Sequence, residues 1–269
     1  MGAYLIRRLL FSVAALFAVI TLVFFVARLS PQDPVMEYLR LNATAQGQIN
    51  MADYARMRHE LGLDRPLPVQ YFAYVDQLLH GDLGTSITQR GRSVASILRA
   101  GIPISLEVAG LGLLIQFGLG TTFGVIAASR QNGRFDRVSM GLAIWMGAVP
   151  QLVVGALLVV IFGVRLHWLP IHGWGTPKHW IMPVITLAVT GTAAFARIGR
   201  ATTLEQFNQE FVRTARAKGL SEKRVLFVHV LRNALIPIVT FLGPSVAFVI
   251  TGNFVVETLF GIPGVAYYA

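Results

Sequence analysis

The chain has 269 residues, 54% of them hydrophobic and 13% charged, with a net charge of +10. A soluble domain has about a quarter of its residues charged, so half that share, placed in the gaps between long apolar runs, excludes an ordinary water-soluble domain and favours an integral membrane protein. Continuous rather than alternating apolar runs favour helices over a β-barrel, the positive charge beside those runs fits the flanks of membrane spans better than a nucleic-acid surface, and the absence of cysteine excludes thiol and disulfide chemistry.

A hydrocarbon core about 30 Å thick needs about 20 apolar residues per helix. Five spans are predicted on that basis, at about 8–28, 102–128, 138–163, 180–199 and 234–256. The first follows Arg7-Arg8. It is too long for a signal-peptide core and no small-residue cleavage site follows it, so it reads as a retained span. Ile6 stands where myristoylation needs Ser or Thr. Arg7 and Arg8 place the N-terminus in the cytoplasm. Alternation then puts 29–100 outside, 129–137 inside, 164–179 outside and the basic stretch around 200–233 inside. Arg130, Arg134 and Arg137 in the short inner loop agree with that orientation. Within 29–100, "MADYARMRHELGLD" and "PVQYFAYVDQLLHGDLG" each read as a short helix. In the second, Tyr71, Val75, Leu78 and Leu79 recur at helical spacing, which predicts a face lying on the outer membrane surface or capping a pore. The expected organisation is an N-terminal span (1–28), an extracytoplasmic segment (29–101) and a core transmembrane region (102–269) with a cytoplasmic loop at about 200–233.

Candidate chemistry is sparse. Lys178, Lys218 and Lys223 are the only lysines, and none lies in a phosphate-cradling G-x-x-x-x-G-K-[ST] motif. Gly120-x-x-x-Gly124 inside the second span fits close helix packing. His167, His172 and His179 share one outer loop with Trp168 and Trp174, and Trp180 follows at its edge, but no carboxylate or cysteine completes a metal set there; the tryptophans fit an interfacial aromatic belt. Glu107, in the first turns of the second span, is an intramembrane ionisable residue and so a candidate for a substrate path; it reads equally as a residue at the outer interface, where it costs little. Asp136 beside Arg137 reads as a surface ion pair of small value. No catalytic residues are expected.

The stretch "EFVRTARAKGLSEKRVLFVHVLRNALIPI" is the most structured polar element. Phe207, Phe211 and Ala215 recur every four positions and form one apolar stripe on a predicted helix over about 205–218. Gly219 fits a left-handed cap, with Lys218 at the negative helix end. Ser221 can N-cap a second helix, with Glu222 at its positive end. Val228, Leu231 and Leu235 carry its apolar side, and Pro237 bends the start of the fifth span. A basic helical hairpin with Leu220 at its tip follows. It reads either as an element resting on anionic lipid or as a docking element for a soluble partner, positioned by Arg213, Arg216, Lys223 and Arg224, with Leu220 filling a pocket.

This stretch resembles the cytoplasmic "EAA" loop of bacterial ABC-transporter permeases, of general form E-A-A-x3-G-x9-I-x-L-P, and most closely that of the peptide/nickel importer branch. Arg213-Thr214-Ala215 stand for E-A-A, Gly219 is the glycine, His229 replaces Ile, Leu231 is kept and Arg232 replaces Pro. "IRRLL", "LSPQDPV", "GDLG", "ISLEVAG", "VPQLVVGALLVVIFGVRLHWLPIHGW" and "ETLFGIPGV" resemble that branch along nearly the whole chain. The resemblance implies an all-α, polytopic type I ABC-importer permease fold in the bacterial cytoplasmic (inner) membrane. The family has six spans and five are predicted here, so a further span is expected after "ETLFGIPGV". It implies no cofactor on this chain, with ATP and Mg on partner ATPase subunits. The implied partners are a second permease subunit, two cytoplasmic ATPases, an extracytoplasmic binding protein and the lipid bilayer. Arg213, Thr214, Ala215, Arg216, Ala217, Lys218, Gly219, Leu220 and Ser221 are the implied ATPase-coupling residues. Dipeptides or oligopeptides are the leading substrates, with nickel chelates and glutathione carried by close relatives. A self-sufficient channel or ion-driven transporter needs several charges within its spans, and Glu107 alone does not supply them. A membrane-anchored scaffold that works through 29–100 is the remaining alternative.

Overall fold

The computed structural model of the chain describes residues 2–30, 33–41, 51–86, 89, 92–251 and 253–268. Their regular elements are all helices, joined by turns and loops, apart from one isolated bridge between Thr85 and Ser93. The chain divides into two compact units, residues 1–96 and 97–269.

In the first unit, α1 (Gly2–Leu29) is apolar all round and buries only Phe24 among its described residues. Leu9, Phe11, Leu16 and Leu22 stand exposed, as lipid contact requires. The short helices α2 (Pro34–Leu41), α3 (Met51–Glu60) and α4 (Leu67–Leu79) follow. α4 packs on the end of α1. Tyr71 and Tyr74 meet the Phe24 ring at 5.3 and 5.6 Å, and the Thr21 and Tyr71 hydroxyls are 2.7 Å apart. The packed face therefore includes Tyr71, Tyr74, Val75 and Leu78, while Leu79 is exposed. Part of the predicted face, Tyr71 above all, thus packs on α1. Asp33 ties α2 to α3: its carboxylate accepts the Val35 and Met36 amides at the start of α2 and the Tyr54 hydroxyl at 2.6 Å. Arg58 donates to the Tyr54 oxygen and to the Leu63 carbonyl.

The second unit is built around α8 (Pro177–Phe207), whose buried residues run its whole length. α5 (Val94–Ser129) crosses it at glycines. A Cβ on Gly120 would meet the Thr192 carbonyl oxygen at 2.7 Å, and one on Gly124 would meet the Ala196 carbonyl oxygen and the Arg200 nitrogen. The Gly120/Gly124 pair thus lets two backbones touch, the packing use expected of small-xxx-small spacing. A core of Val108, Ala109, Met182, Leu187, Val249, Val256, Phe260 and Ile262 joins α5 and α8 to α11 (Leu231–Thr251) and α12 (Phe254–Phe260).

The predicted third span is broken. α6 (Arg134–Ala148) and α7 (Gln151–Leu158) meet at 95° across Val149-Pro150. Proline has no N–H and pushes the preceding residue out of the helical region, and Val149 accordingly sits at φ −78°, ψ 124°. α7 then runs into a π-helical turn, Val159–Arg165. Among the described residues four helices are long and apolar enough to cross a membrane, and the α6–α7 pair makes a fifth if its halves count as one span. Pro237 leaves α11 continuous rather than marking a bend at its start.

Asp136 is not a surface partner of Arg137. It is 3% exposed, and Arg200 of α8 donates to its two carboxylate oxygens at 2.5 and 2.8 Å, while the Asn132 amide donates at 2.9 Å. A bidentate guanidinium satisfies a buried carboxylate in a way that a sequence neighbour on the next helical position cannot.

Candidate functional site

The basic stretch folds as a hairpin with its own core. α8 ends at Phe207, and Asn208-Gln209 turn the chain into a separate α9 (Glu210–Ala217). Phe207 and Ala215 therefore do not share one helix as the stripe required. Val212, not Phe211, is buried with Ala215, and Phe211 is exposed.

α9 ends in a Schellman motif. Gly219, at φ +75°, donates its N–H to the Arg216 carbonyl at 2.9 Å, and Leu220 donates to the Ala215 carbonyl at 3.3 Å. The apolar contact that accompanies this cap is Leu220 against the Val212, Ala215, Val225 and Val230 cluster. Leu220 is thus half-buried in its own chain rather than projecting from the tip.

Ser221 takes the N-cap position with extended backbone and its carbonyl accepts the Val225 N–H at 2.9 Å, without a side-chain cap bond. The second arm is not a separate helix. α10 (Glu222–Arg224) passes through a π-helical segment, Val225–Val230, directly into α11. An i→i+5 segment breaks the 3.6-residue period. The buried positions are accordingly Val225 and Val230, five apart, then Ala234 and Ile238, four apart, and Val228 of the predicted face is exposed.

The outer face of the hairpin is polar. Arg216 spans the two arms, donating to both Glu222 oxygens at 2.8 and 3.0 Å and lying 5.7 Å from the Phe207 ring centre. The hydrogen bonds that Arg216 donates to the Glu222 carboxylate raise its pKa above the ordinary value. Arg213 pairs with Glu210 at 2.8 Å in solvent, a contact of small value. Thr214, Ala217, Lys218 and Ser221 are exposed, as are Lys223 and Arg224. Beside the hairpin lies a groove of about 710 Å³, formed with the loop at Ser129–Gly133 and lined also by Phe207, Asn208, Arg216 and Lys223. The geometry suits rigid docking: a small self-supporting core, a fixed turn and an exposed cationic rim.

At the other signature, "ETLFGIPGV", sits a buried carboxylate. Glu257 of α12 is 3% exposed. It accepts the Ser105 hydroxyl at 2.7 Å, the Ala266 and Tyr267 amides at 2.8 and 3.1 Å, and the Asn253 amide at 3.4 Å. Ser105 in turn accepts the Val265 N–H at 2.9 Å. Gly101 and Gly264 allow the approach: a Cβ on Gly101 would meet the Val265 nitrogen at 2.9 Å, and one on Gly264 would meet the Glu257 carboxylate and the Ser105 hydroxyl. Glu107, the residue singled out from the sequence, is exposed on α5 instead. The buried Glu257 lies one residue past the predicted end of the fifth span. His179 is occupied with the Thr176 hydroxyl at 2.8 Å, Trp174 and Trp180 stack at 5.6 Å, and among the described residues no three His, Asp or Glu side chains gather to hold a metal.

A family model for binding-protein-dependent transport system inner membrane components matches residues 120–269, and the model for the N-terminal part of such membrane components matches residues 1–99. The chain is 37% identical over 264 residues to the oligopeptide transport system permease protein OppB of Salmonella typhimurium, covering 97% of this chain and 84% of that protein. It is 36% identical over 268 residues to the dipeptide transport system permease protein DppB of Bacillus subtilis, covering 100% and 84%. DppB of Lactococcus lactis is 34% identical over 98% of this chain. A solved amino acid ABC transporter with histidines matches at a TM-score of 0.45 and 17% identity over 64% of this chain and 76% of that one, too distant to bear on function.

Proposed function

The chain belongs to the family of binding-protein-dependent transport system inner membrane components, and from that premise we propose that it is a permease subunit of an ATP-driven importer that passes dipeptides or oligopeptides across the bacterial inner membrane. Relatives named for oligopeptide and dipeptide transport match nearly its whole length, which supports a peptide substrate. Its N-terminus and the 210–224 hairpin face the cytoplasm, in line with Arg7, Arg8 and the basic inner loops. It pairs with a second permease subunit, receives substrate from an extracytoplasmic binding protein and rests on two ATPases that hold the ATP and Mg.

The observation that carries this reading is the hairpin. Val212, Ala215 and Leu220 are spent on its own core while its charged residues are exposed, so it can be pushed as one body. The arm that leaves it is continuous with α11. Closure of the ATPases on ATP thus moves a membrane span directly, biasing a two-state bundle between inward-open and outward-open forms. The energy comes from the partner, and no bond is made or broken on this chain.

The test is reconstitution of this chain with its partner subunits in proteoliposomes. Uptake of labelled di- and tripeptides that requires both ATP and the binding protein is expected. Uptake without ATP, or of inorganic ions instead of peptides, contradicts the proposal.

A further inference from the structure

The second unit holds a cleft of about 260 Å³ between α5, α8 and α11, at the breaks that precede α7 and α12. Its polar lining is Gln116, Gln151, Thr190, Ser245 and Asn253, with no charged side chain among the lining residues. Polar groups within membrane helices are costly unless they are paired or serve a ligand. Thr190 and Ser245 are paired to carbonyls of their own helices, at Leu187 and Phe241.

The carboxamides are different. Gln116 Nε2 donates across to the Leu187 carbonyl at 3.0 Å. Asn253 Nδ2 donates to Gln151 Oε1 at 3.0 Å, and Asn253 Oδ1 accepts the Val256 amide at 3.0 Å. These bonds fix all three side chains and leave Gln116 Oε1 and Gln151 Nε2 without a protein partner among the described residues. One acceptor and one donor therefore remain on a neutral wall, beside Leu113, Leu187 and Phe248. The Glu257–Ser105 contact stands behind this wall, because Glu257 also takes the Asn253 amide.

We infer that this cleft is a transit site for the uncharged main chain of an extended peptide. A peptide group offers one N–H and one C=O, which matches the free acceptor and donor. A charged terminus or side chain finds no counter-charge in this lining, so main-chain amides are read in preference to sequence. The inference rests on the peptide reading given above and names the chemistry by which this subunit contacts its cargo.

The test uses the full importer in proteoliposomes, with a binding protein saturated by one labelled tripeptide. Gln116→Leu and Gln151→Leu are close in volume and remove the free acceptor and donor. Each is expected to lower uptake about tenfold, the loss of one desolvated hydrogen bond to the ligand. Because the chain has no cysteine, Ser245→Cys gives a single reporter on this subunit. Its labelling by a membrane-impermeant methanethiosulfonate is expected to slow when the complex is trapped with peptide, and this readout decides the matter if a leucine variant fails to assemble. Peptide uptake with an unprotected reporter, or undiminished uptake in assembled leucine variants, overturns the transit site alone. A wild-type complex that imports no peptide overturns the peptide reading itself, and the site falls with it.

Discussion

Ser105 donates a 2.7 Å hydrogen bond to Glu257, 152 residues later in the chain, and fastens the loop after α12 to the N-terminal half of α5. The carboxylate is held by hydroxyl and amide donors and by no cation among the described residues. Removing one donor leaves a buried carboxyl oxygen short of a partner. Ser105→Ala should cost about 1–3 kcal/mol. Glu257→Ala should cost more, because it leaves the hydroxyl and several amides unsatisfied together. Thermal unfolding of the purified complex measures both, and Glu257→Gln should fall between wild type and Glu257→Ala.

Gly124 faces backbone, not side chain, across the α5–α8 crossing. A backbone neighbour cannot rotate away, so Gly124→Val should force the helices apart at a cost of about 1–3 kcal/mol or more. Gly118 has nothing within 4 Å of a Cβ, and Gly118→Ala should be neutral or slightly stabilising. Paired melting curves of the two variants separate packing from helix propensity.

Gly219 holds the left-handed turn of the hairpin at φ +75°. Gly219→Ala should cost about 1–2 kcal/mol locally. Leu220→Ala should cost about 1–3 kcal/mol, below the full-burial range because Leu220 is only half-buried. Both weaken the hairpin itself. Lys218→Glu, on the exposed rim, should leave hairpin stability unchanged and weaken ATPase association. Hydrogen exchange over 210–224, compared with co-purified ATPase, tells these two effects apart.

Burial alone would raise the Asp33 carboxyl, but hydrogen bonds from Tyr54, Val35 and Met36, with Arg58 nearby, hold it below its ordinary 3.8. A carboxylate with a depressed folded value stabilises the fold above its unfolded value and loses that contribution as pH falls through the folded one. The α2–α3 contact should therefore be intact at neutral pH and loosen as pH drops below 3.8. Tyr54→Phe should move that loosening upward, toward 3.8. Amide exchange in Met51–Glu60 as a function of pH records both.

Local signals carried far in this sequence and long-range ones did not. Gly219 was legible because a glycine after a basic helix end, with Ser221 two residues on to start the next helix, has few other uses. Gly120 and Gly124 were legible by spacing. The break at Val149-Pro150 was hidden because apolar content runs straight through it, although Pro150 marks the spot. Asp136 was assigned to its neighbour Arg137, since nothing local points to Arg200, 64 positions away. Glu257 escaped because a carboxylate just past an apolar run reads as interfacial. The π-helical segment Val225–Val230 has no pattern of its own, so the buried face beyond it was displaced.

The central claim is that the 210–224 hairpin seats on an ATPase subunit. In this cysteine-free chain, Lys218→Cys places one thiol on the exposed rim. Membranes holding the complete importer, treated with a short bifunctional maleimide–amine reagent, should give a cross-linked product of this chain with the ATPase whose yield changes on adding ATP. A product with the extracytoplasmic binding protein, or none with the ATPase while the same reagent at Leu79→Cys reaches it, contradicts the account.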